Sequence, residues 1–214
     1  MRDDVFSLLN RHADVSRETF ERLEAYCELL LKWQAKVNLI GPDTVADVWS
    51  RHFLDSVQLL SYLPNKDISL LDIGSGAGFP GLVLAICGVD NVTLAEVDQK
   101  KVIFLREVAR VTNTRVNIHA ARVETLDENF FDVVTSRACS SLTTLLEYSS
   151  KFVSCETFCL FPKGRNYTKE VDDAQMNWNF QLETAPSVTD TQGVILKLSQ
   201  VERRGHEPGK AKEH

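Results

Sequence analysis

The chain has 214 residues, of which 43% are hydrophobic and 25% are charged, and its formal net charge is −6. This length and composition predict one folded domain with an extension and exclude a disordered chain. The negative balance excludes an indiscriminate polyanion binder, because non-specific affinity for nucleic acid comes from many phosphate-neutralising cations. Any contact with a nucleic acid must therefore use a local basic patch.

The cysteine pattern and the hydropathy of the chain indicate the cellular compartment of the protein and whether cysteines bind a metal. The five cysteines, an odd number, form no Cys-x-x-Cys pair, which argues against a disulfide framework and a zinc knuckle. No run of about 20 apolar residues could cross a bilayer, and the first residues lack the apolar stretch of a secretory signal. We expect a cytoplasmic monomer without a metal.

The pattern of apolar residues over the first 64 residues predicts a helical extension. Apolar residues recur at helical spacing over 16–39, where Ser16 is a candidate cap. Gly41-Pro42 ends this helix, and Asp43 is a candidate cap for a second helix over 43–63.

From residue 65 to residue 202, short apolar runs alternate with helical segments, which predicts a doubly wound, Rossmann-like α/β sheet. Parallel strands are predicted at 68–73, 92–97, 116–120, 131–135 and 157–161, and helices at 79–87, 99–111, 140–151 and 167–176. Two more strands, at 180–184 and 194–201, have no helix between them and predict an antiparallel pair that completes a seven-stranded sheet. Residues 203–214, whose charges nearly cancel, are expected to be a mobile tail.

A glycine-rich loop, Asp72-Ile73-Gly74-Ser75-Gly76-Ala77-Gly78, follows the first predicted strand and opens a helix. Glycine permits a tight turn and a close approach of a ligand, and free amides at the helix start attract an anionic group. A nucleotide-like cofactor is therefore expected here. Because Gly76-x-Gly78-x-x-Gly81 also matches the dinucleotide pattern, the glycines alone do not choose the cofactor or exclude a ligand-free turn.

Two carboxylates bear on the choice of cofactor. Asp72 precedes the glycines, where an acid attracts the cationic amino group of S-adenosylmethionine but would repel a pyrophosphate. Glu96 ends the second strand, where its carboxylate can accept hydrogen bonds from both ribose hydroxyls of either cofactor. Asp72 and the antiparallel ending together favour S-adenosylmethionine, and so a methyltransferase, over a nicotinamide-dependent oxidoreductase.

Seven motifs occur in one order along most of the chain. They are Asn38-Leu39-Ile40, Arg51-His52-x-x-Asp55-Ser56, Asp72 to Gly81, Lys101-x-x-Phe104-Leu105-Arg106, Arg122-Val123-Glu124, Ser136-Arg137-Ala138 and Lys163-Gly164. Together they resemble the ribosomal RNA small subunit methyltransferase G family, also called glucose-inhibited division protein B. Two details depart from its usual pattern: Cys139 stands where an apolar residue is common, and Phe161-Pro162 where leucine is commoner.

The resemblance implies a class I S-adenosylmethionine-dependent methyltransferase. Members of the family methylate nitrogen 7 of a guanine in 16S ribosomal RNA, which implies that activity here, on the small ribosomal subunit or a precursor particle. Carried over by motif, the cofactor contacts are Gly74, Phe79, Val123, Glu124 and Arg137, and the loop chemistry adds Asp72, Gly76 and Glu96.

Attack by nitrogen 7 of guanine needs no general base, because its lone pair already lies in the ring plane. Catalysis then depends on holding the nucleophile about 3 Å from the methyl carbon, and we assign this positioning to Arg137 and Ser136. An arginine clamp on oxygen 6 and nitrogen 7 together would block the reacting lone pair. Arg137 should therefore hold the cofactor, a phosphate or oxygen 6 alone.

The basic patch for RNA is predicted from Arg51, His52, Lys163 and Arg165. The alternative is an ordinary solvated face or, for His52, a packing role. A non-catalytic ribosome assembly factor with the same fold is the remaining alternative function.

Overall fold

The computed structural model describes residues 2–137 and 139–205. Its strands are β1 (Leu70–Ile73), β2 (Val92–Ala95), β3 (Asn117–His119), β4 (Val133–Thr135), β5 (Phe158–Lys163), β6 (Trp178–Pro186) and β7 (Val194–Arg203). They form one sheet in the order β3-β2-β1-β4-β5-β7-β6. The first five strands are parallel, and β7 is antiparallel to both β5 and β6. The predicted α/β sheet and its antiparallel ending are confirmed.

The helices are α1 (Arg2–Asn10), α2 (Arg17–Gln34), α3 (Asp55–Val57), α4 (Gly81–Ile86), α5 (Gln99–Val111), α6 (Leu142–Ser149) and α7 (Tyr167–Gln175). As expected, Ser16 caps α2, its side chain accepting a hydrogen bond from the amide of Thr19. Asp98 caps α5 by accepting from the amides of Lys100 and Lys101. None of the described helices is long and apolar enough to span a membrane.

The prediction of one continuous second helix over 43–63 is wrong. Pro42–Thr44 is a 3₁₀ turn, Trp49–Leu54 is a π-helix that leads into α3, and Gln58–Tyr62 is a second 3₁₀ turn. Asp43 lies inside the first turn and does not cap a helix. The side chains of His52, Phe53 and Leu54 are all buried, and three consecutive buried residues do not fit a helix with a single apolar stripe. Packing on several sides therefore sets the local winding here.

The sheet separates two hydrophobic clusters. Because side chains alternate along a strand, Leu70 of β1 belongs to one cluster and Leu71 to the other. The N-terminal helices share the first cluster with α4 and α5, and Tyr26 of α2 is completely buried in it. The N-terminal extension is therefore packed against the sheet and reaches the glycine loop.

The chain end differs from the expected boundary, because Arg203 is the last residue of β7 rather than part of a tail. Residues 206–214 lie outside the described residues, and so does nearly all of the predicted mobile tail.

Candidate functional site

A cavity of about 460 Å³ lies at the carboxyl ends of β1, β2 and β4. Its size is in the range of small-ligand pockets. The predicted cofactor residues in its wall are Gly74, Gly76, Phe79, Glu96, Val123, Glu124 and Arg137. The motif residues Leu39 and Ile40 also line it, and so does Tyr148 of α6, which no motif or spacing singled out. We call this space the first cavity.

Backbone geometry explains two of the glycines. Gly74 has a φ of +68°, and a Cβ built on it would lie 2.5 Å from Sγ of Cys139. Gly76 has a φ of +58°, but the nearest atom to its Cβ position, the carbonyl oxygen of Gly74, is 3.8 Å away. Gly74 is thus required by protein packing as well as by its conformation, whereas Gly76 faces open space in the wall of the first cavity.

Asp72 is buried beneath the loop and does not line the first cavity. Its Oδ2 accepts a hydrogen bond of 3.0 Å from the amide of Gly81. Its Oδ1 forms no hydrogen bond within the described part of the chain. Burial, opposed by the Gly81 bond, raises the pKa of Asp72 to about 7. An unsatisfied acceptor behind the loop fits a cationic group bound in front of it.

Glu96 holds the glycine loop from the end of β2. One carboxylate oxygen accepts from the amide of Gly76 at 2.7 Å, and the other accepts from the amide of Asp98 at 2.8 Å. A carboxylate has about four acceptor sites, so each oxygen retains capacity for a ligand hydroxyl. Sequence spacing did not reveal these backbone contacts.

Arg137 follows β4 and is held by the segment around the π-helix. Its Nη1 donates to Oδ2 of Asp55 at 3.0 Å and to the carbonyl of Arg51 at 2.8 Å, and its Nη2 lies 2.7 Å from Nδ1 of His52. The guanidinium carbon lies 5.1 Å from the ring centre of Phe79. These contacts fix Arg137 in the wall of the first cavity.

His52 is neutral at physiological pH. Burial, together with the charges of Arg137 and Arg51, lowers the pKa of His52 to about 3. Nδ1 therefore accepts from Arg137, which leaves the proton on Nε2 for Oγ1 of Thr44 at 2.7 Å. The Thr44 hydroxyl in turn donates to the carbonyl of Gly41. A chain of hydrogen bonds thus links the end of β4 to the rim of the first cavity.

A second cavity of about 780 Å³ adjoins the first. His52, Arg137 and Cys139 line both cavities. The loop 187–193 between β6 and β7 supplies part of the wall of this second cavity. Ligands placed in the two cavities would meet at the three shared residues.

Only three of the four residues predicted to contact RNA lie in the same cavity. Arg51 and Lys163 line the second cavity with His52, but Arg165 lines neither cavity. Nζ of Lys163 lies 2.8 Å from a carboxylate oxygen of Glu170 and its side chain is only 9% exposed, so its charge is satisfied internally. Nη1 of Arg51 lies 3.7 Å from Oδ2 of Asp190.

Ser136, predicted to position substrate, lies below the site. It is fully buried and donates a 2.7 Å hydrogen bond to the carbonyl of Ile73. This bond joins the ends of β4 and β1. Among the described residues, no group of three or more histidine, cysteine or acidic side chains could hold a metal ion.

The strand order, the glycine loop after β1 and the cavity above it define a class I methyltransferase fold. Magnesium protoporphyrin IX methyltransferase from Synechocystis PCC 6803, solved with bound S-adenosylmethionine, has a TM-score of 0.59 to this chain. The likeness covers 87% of this chain and 99% of that one at 11% sequence identity, so it bears on the fold alone.

Sequence relatives narrow the class to a family. The family model for rRNA small subunit methyltransferase G (GidB) matches residues 19–198. The Rhodospirillum centenum protein named ribosomal RNA small subunit methyltransferase G is 48% identical over 195 residues, which cover 91% of this chain and 90% of that one. The Rhodospirillum rubrum protein of the same name is 49% identical over 189 residues, which cover 88% of this chain and 94% of that one. The chain belongs to the rRNA small subunit methyltransferase G family, as its motifs predicted.

Proposed function

We propose that this protein transfers the methyl group of S-adenosylmethionine to nitrogen 7 of a guanine in 16S ribosomal RNA. The observation that carries the proposal is the junction of two cavities, one over the glycine loop and a larger one beside it, at His52, Arg137 and Cys139. Membership of an rRNA methyltransferase family supports RNA as the substrate. The cytoplasm, where ribosomal subunits are assembled, is the compartment that fits this substrate, and a monomer suffices for it.

The first cavity suits the parts of the cofactor. Glu96 has acceptor capacity for the ribose hydroxyls, and Val123 and Glu124, which line the same cavity, would contact the adenine. Gly74 and Gly76 offer backbone to the methionine end. Behind them, the buried carboxyl of Asp72, with one unsatisfied oxygen, would favour its ammonium group through a water molecule.

Phe79 bounds the first cavity but has little free ring face. Its ring stacks on Tyr26 with centres 5.4 Å apart and an interplanar angle of 11°, and its other neighbours include Phe53 and Arg137. The contact proposed for Phe79 is therefore made by the edge of the ring rather than by stacking.

Bound S-adenosylmethionine supplies an electrophilic methyl group on a positively charged sulfur. Held by residues such as Gly74, Gly76 and Glu96, it would give that methyl group and its positive charge to nitrogen 7 and would leave the sulfur as a neutral thioether. No proton has to leave nitrogen 7, so the neutral His52 is not required as a base. The chain's own contribution is orientation, with Arg137 held at the junction and Ser136 fixing the strand end beneath it.

The test is transfer of tritium from labelled S-adenosylmethionine to small ribosomal subunits, to their precursors and to naked 16S RNA. We expect label in RNA as 7-methylguanosine at one mapped nucleotide. Label found only in protein would contradict the proposal. Binding of S-adenosylhomocysteine without turnover on every particle would favour an assembly factor, and thermal protection by a nicotinamide dinucleotide alone would favour an oxidoreductase.

A further inference from the structure

The second cavity has a wall that suits the edge of one nucleobase. Arg137 and Asp55 lie side by side in it, joined by a 3.0 Å ion pair, with side chains only 16% and 14% exposed. Arginine offers donors only, and an ionised aspartate offers acceptors only. The wall therefore presents a donor next to an acceptor, in a place partly shielded from water.

Both members of the pair keep unused hydrogen-bonding capacity. An arginine has five N–H donors, and Arg137 gives one each to Asp55, Arg51 and His52. Oδ1 of Asp55 accepts from the Gln58 amide at 2.9 Å and from the Thr189 hydroxyl at 2.6 Å. Oδ2 accepts only from Arg137 within the described residues, so one acceptor position on it remains.

The loop 187–193 holds Asp55 in this orientation. Thr189 bonds directly to Asp55, and Gln58, the other donor to Asp55, accepts a 3.0 Å hydrogen bond from the amide of Val188. Asp55 is thus oriented from two sides, which a carboxylate serving only as the counter-ion of Arg137 would not require.

Guanine matches the pair and adenine does not. Guanine carries an acceptor, oxygen 6, next to nitrogen 7, and then a donor, the N1–H. Adenine carries a donor amino group next to nitrogen 7 and then an acceptor, N1. If Arg137 donates to oxygen 6, nitrogen 7 lies beside Arg137, on the side of the first cavity, and the N1–H points toward Asp55.

We propose that the second cavity receives the target guanine, turned out of the RNA, and that Asp55 accepts a hydrogen bond from its N1–H while Arg137 donates to oxygen 6. This inference rests on the proposed function and names the residue that selects the base. Enzymes acting on bases commonly extrude them into such pockets. Asp55 is then a specificity-determining residue, and Thr189 positions it.

The test compares small ribosomal subunits that carry the mapped target guanine with subunits that carry adenine at that position. For Asp55→Asn we expect kcat/KM on guanine to fall roughly 10- to 100-fold, the usual effect of losing one base-edge contact. We also expect the ratio of guanine to adenine rates to fall, because the asparagine amide can donate to adenine N1. Affinity for S-adenosylhomocysteine, measured by calorimetry, should change less than about threefold.

Two further variants separate recognition from folding. Thr189→Val removes the hydroxyl that holds Asp55 and should lower kcat/KM on guanine in the same direction, whereas Thr189→Ser keeps the hydroxyl and should restore it. Asp67→Asn, at an exposed carboxylate outside both cavities, is the matched control and should behave as wild type.

Three results would overturn the inference. A wild-type enzyme that methylates guanine, together with an Asp55→Asn variant that keeps the full guanine preference, would refute it and leave the proposed function standing. Loss of S-adenosylhomocysteine affinity with an unchanged guanine preference would show that Asp55 only supports Arg137. Absence of transfer to any guanine by the wild type would refute the proposed function and this inference together.

Discussion

Asp72 carries a proton in the folded protein over a pH range in which an ordinary carboxyl has lost it. Burial raises its pKa from the model-peptide value of 3.8 to about 7. Between those values the folded state binds more protons than the unfolded state, so stability falls as the pH rises. The contribution of Asp72 is complete below about pH 4 and lost above about pH 7.

We predict that Asp72→Asn removes this pH dependence. From pH 5 to pH 7, the free energy of unfolding of the wild type should fall relative to that of the variant, by at most about 1.4 kcal/mol per pH unit. Urea denaturation at matched pH values gives this difference. The lowered pKa of His52 makes stability rise with pH, which is the opposite effect. It is the same in both proteins and cancels in the difference. Parallel curves for the two proteins would show that Asp72 is ionised in the folded state.

Residue types and motifs identified much of the first cavity, but they did not reveal which atoms are paired. Gly74 and Arg137, which were carried over by motif, and Glu96, which was predicted from its position after β2, all line that cavity. In contrast, the internal pairing of Lys163 with Glu170 depends on how α7 packs beside β5. Spacing along a chain specifies local structure, whereas the neutralisation of a charge depends on tertiary contacts.

At the scale of elements, the N-terminal helix α2 supports the glycine loop. The hydroxyl of Tyr26 donates a hydrogen bond to the carbonyl of Ala77, and both groups are buried. The ring of Tyr26 also stacks on Phe79. The extension thus contributes directly to the floor of the first cavity.

We predict that Tyr26→Phe lowers stability and weakens cofactor binding, because it leaves the carbonyl of Ala77 without its donor. Loss of such a bond costs about 1–3 kcal/mol, which corresponds to a fall in Tm of roughly 2–10 °C for a chain of this size. Differential scanning calorimetry, with and without S-adenosylhomocysteine, measures both effects. Tyr62→Phe is the control, because the Tyr62 hydroxyl forms no hydrogen bond within the described part of the chain. An unchanged Tm for Tyr26→Phe would rule out this support.

Prediction of elements succeeded where one periodicity dominated. Helix α5 has the predicted bounds, Gln99–Val111, because it buries a single apolar face against the sheet. The prediction over 43–63 was wrong because that segment is enclosed on several sides. Helix α1 was not predicted, although its Asp3 and Asp4, followed by Val5 and Phe6, are typical of a helix start.

At the scale of the whole molecule, few free cations face the second cavity. The chain has a net charge of −6, and the charges of Arg137 and Lys163 are paired with Asp55 and Glu170. Arg51 and Lys169 in its wall remain for phosphates, and Arg51 has only a long, exposed ion pair. Exposed Arg165 lines neither cavity, but its neighbours Gly164 and Asn166 line the second, so we count it as a third cation. RNA affinity should therefore depend only weakly on salt.

We predict a slope of about −2 for the logarithm of the RNA association constant against the logarithm of salt concentration, from three contacts at about −0.7 each. Filter binding of 16S RNA between roughly 50 and 200 mM salt measures it. Arg165→Ala and Lys169→Ala should each make the slope shallower by about 0.7. Lys36→Ala, at an exposed lysine outside both cavities, should leave it unchanged. A slope steeper than about −5 would require cations elsewhere on the surface.

Part of the wall of the second cavity is made after every residue that lines the first. Every residue that lines the first cavity lies at or before Tyr148, whereas Thr189 and Asp190 follow β6. A growing polypeptide that has left the ribosome only as far as β5 thus contains the complete wall of the first cavity but cannot yet fix Asp55. If Asp55 selects the base as proposed, translation order delays that selection until β6 and the loop 187–193 have been made.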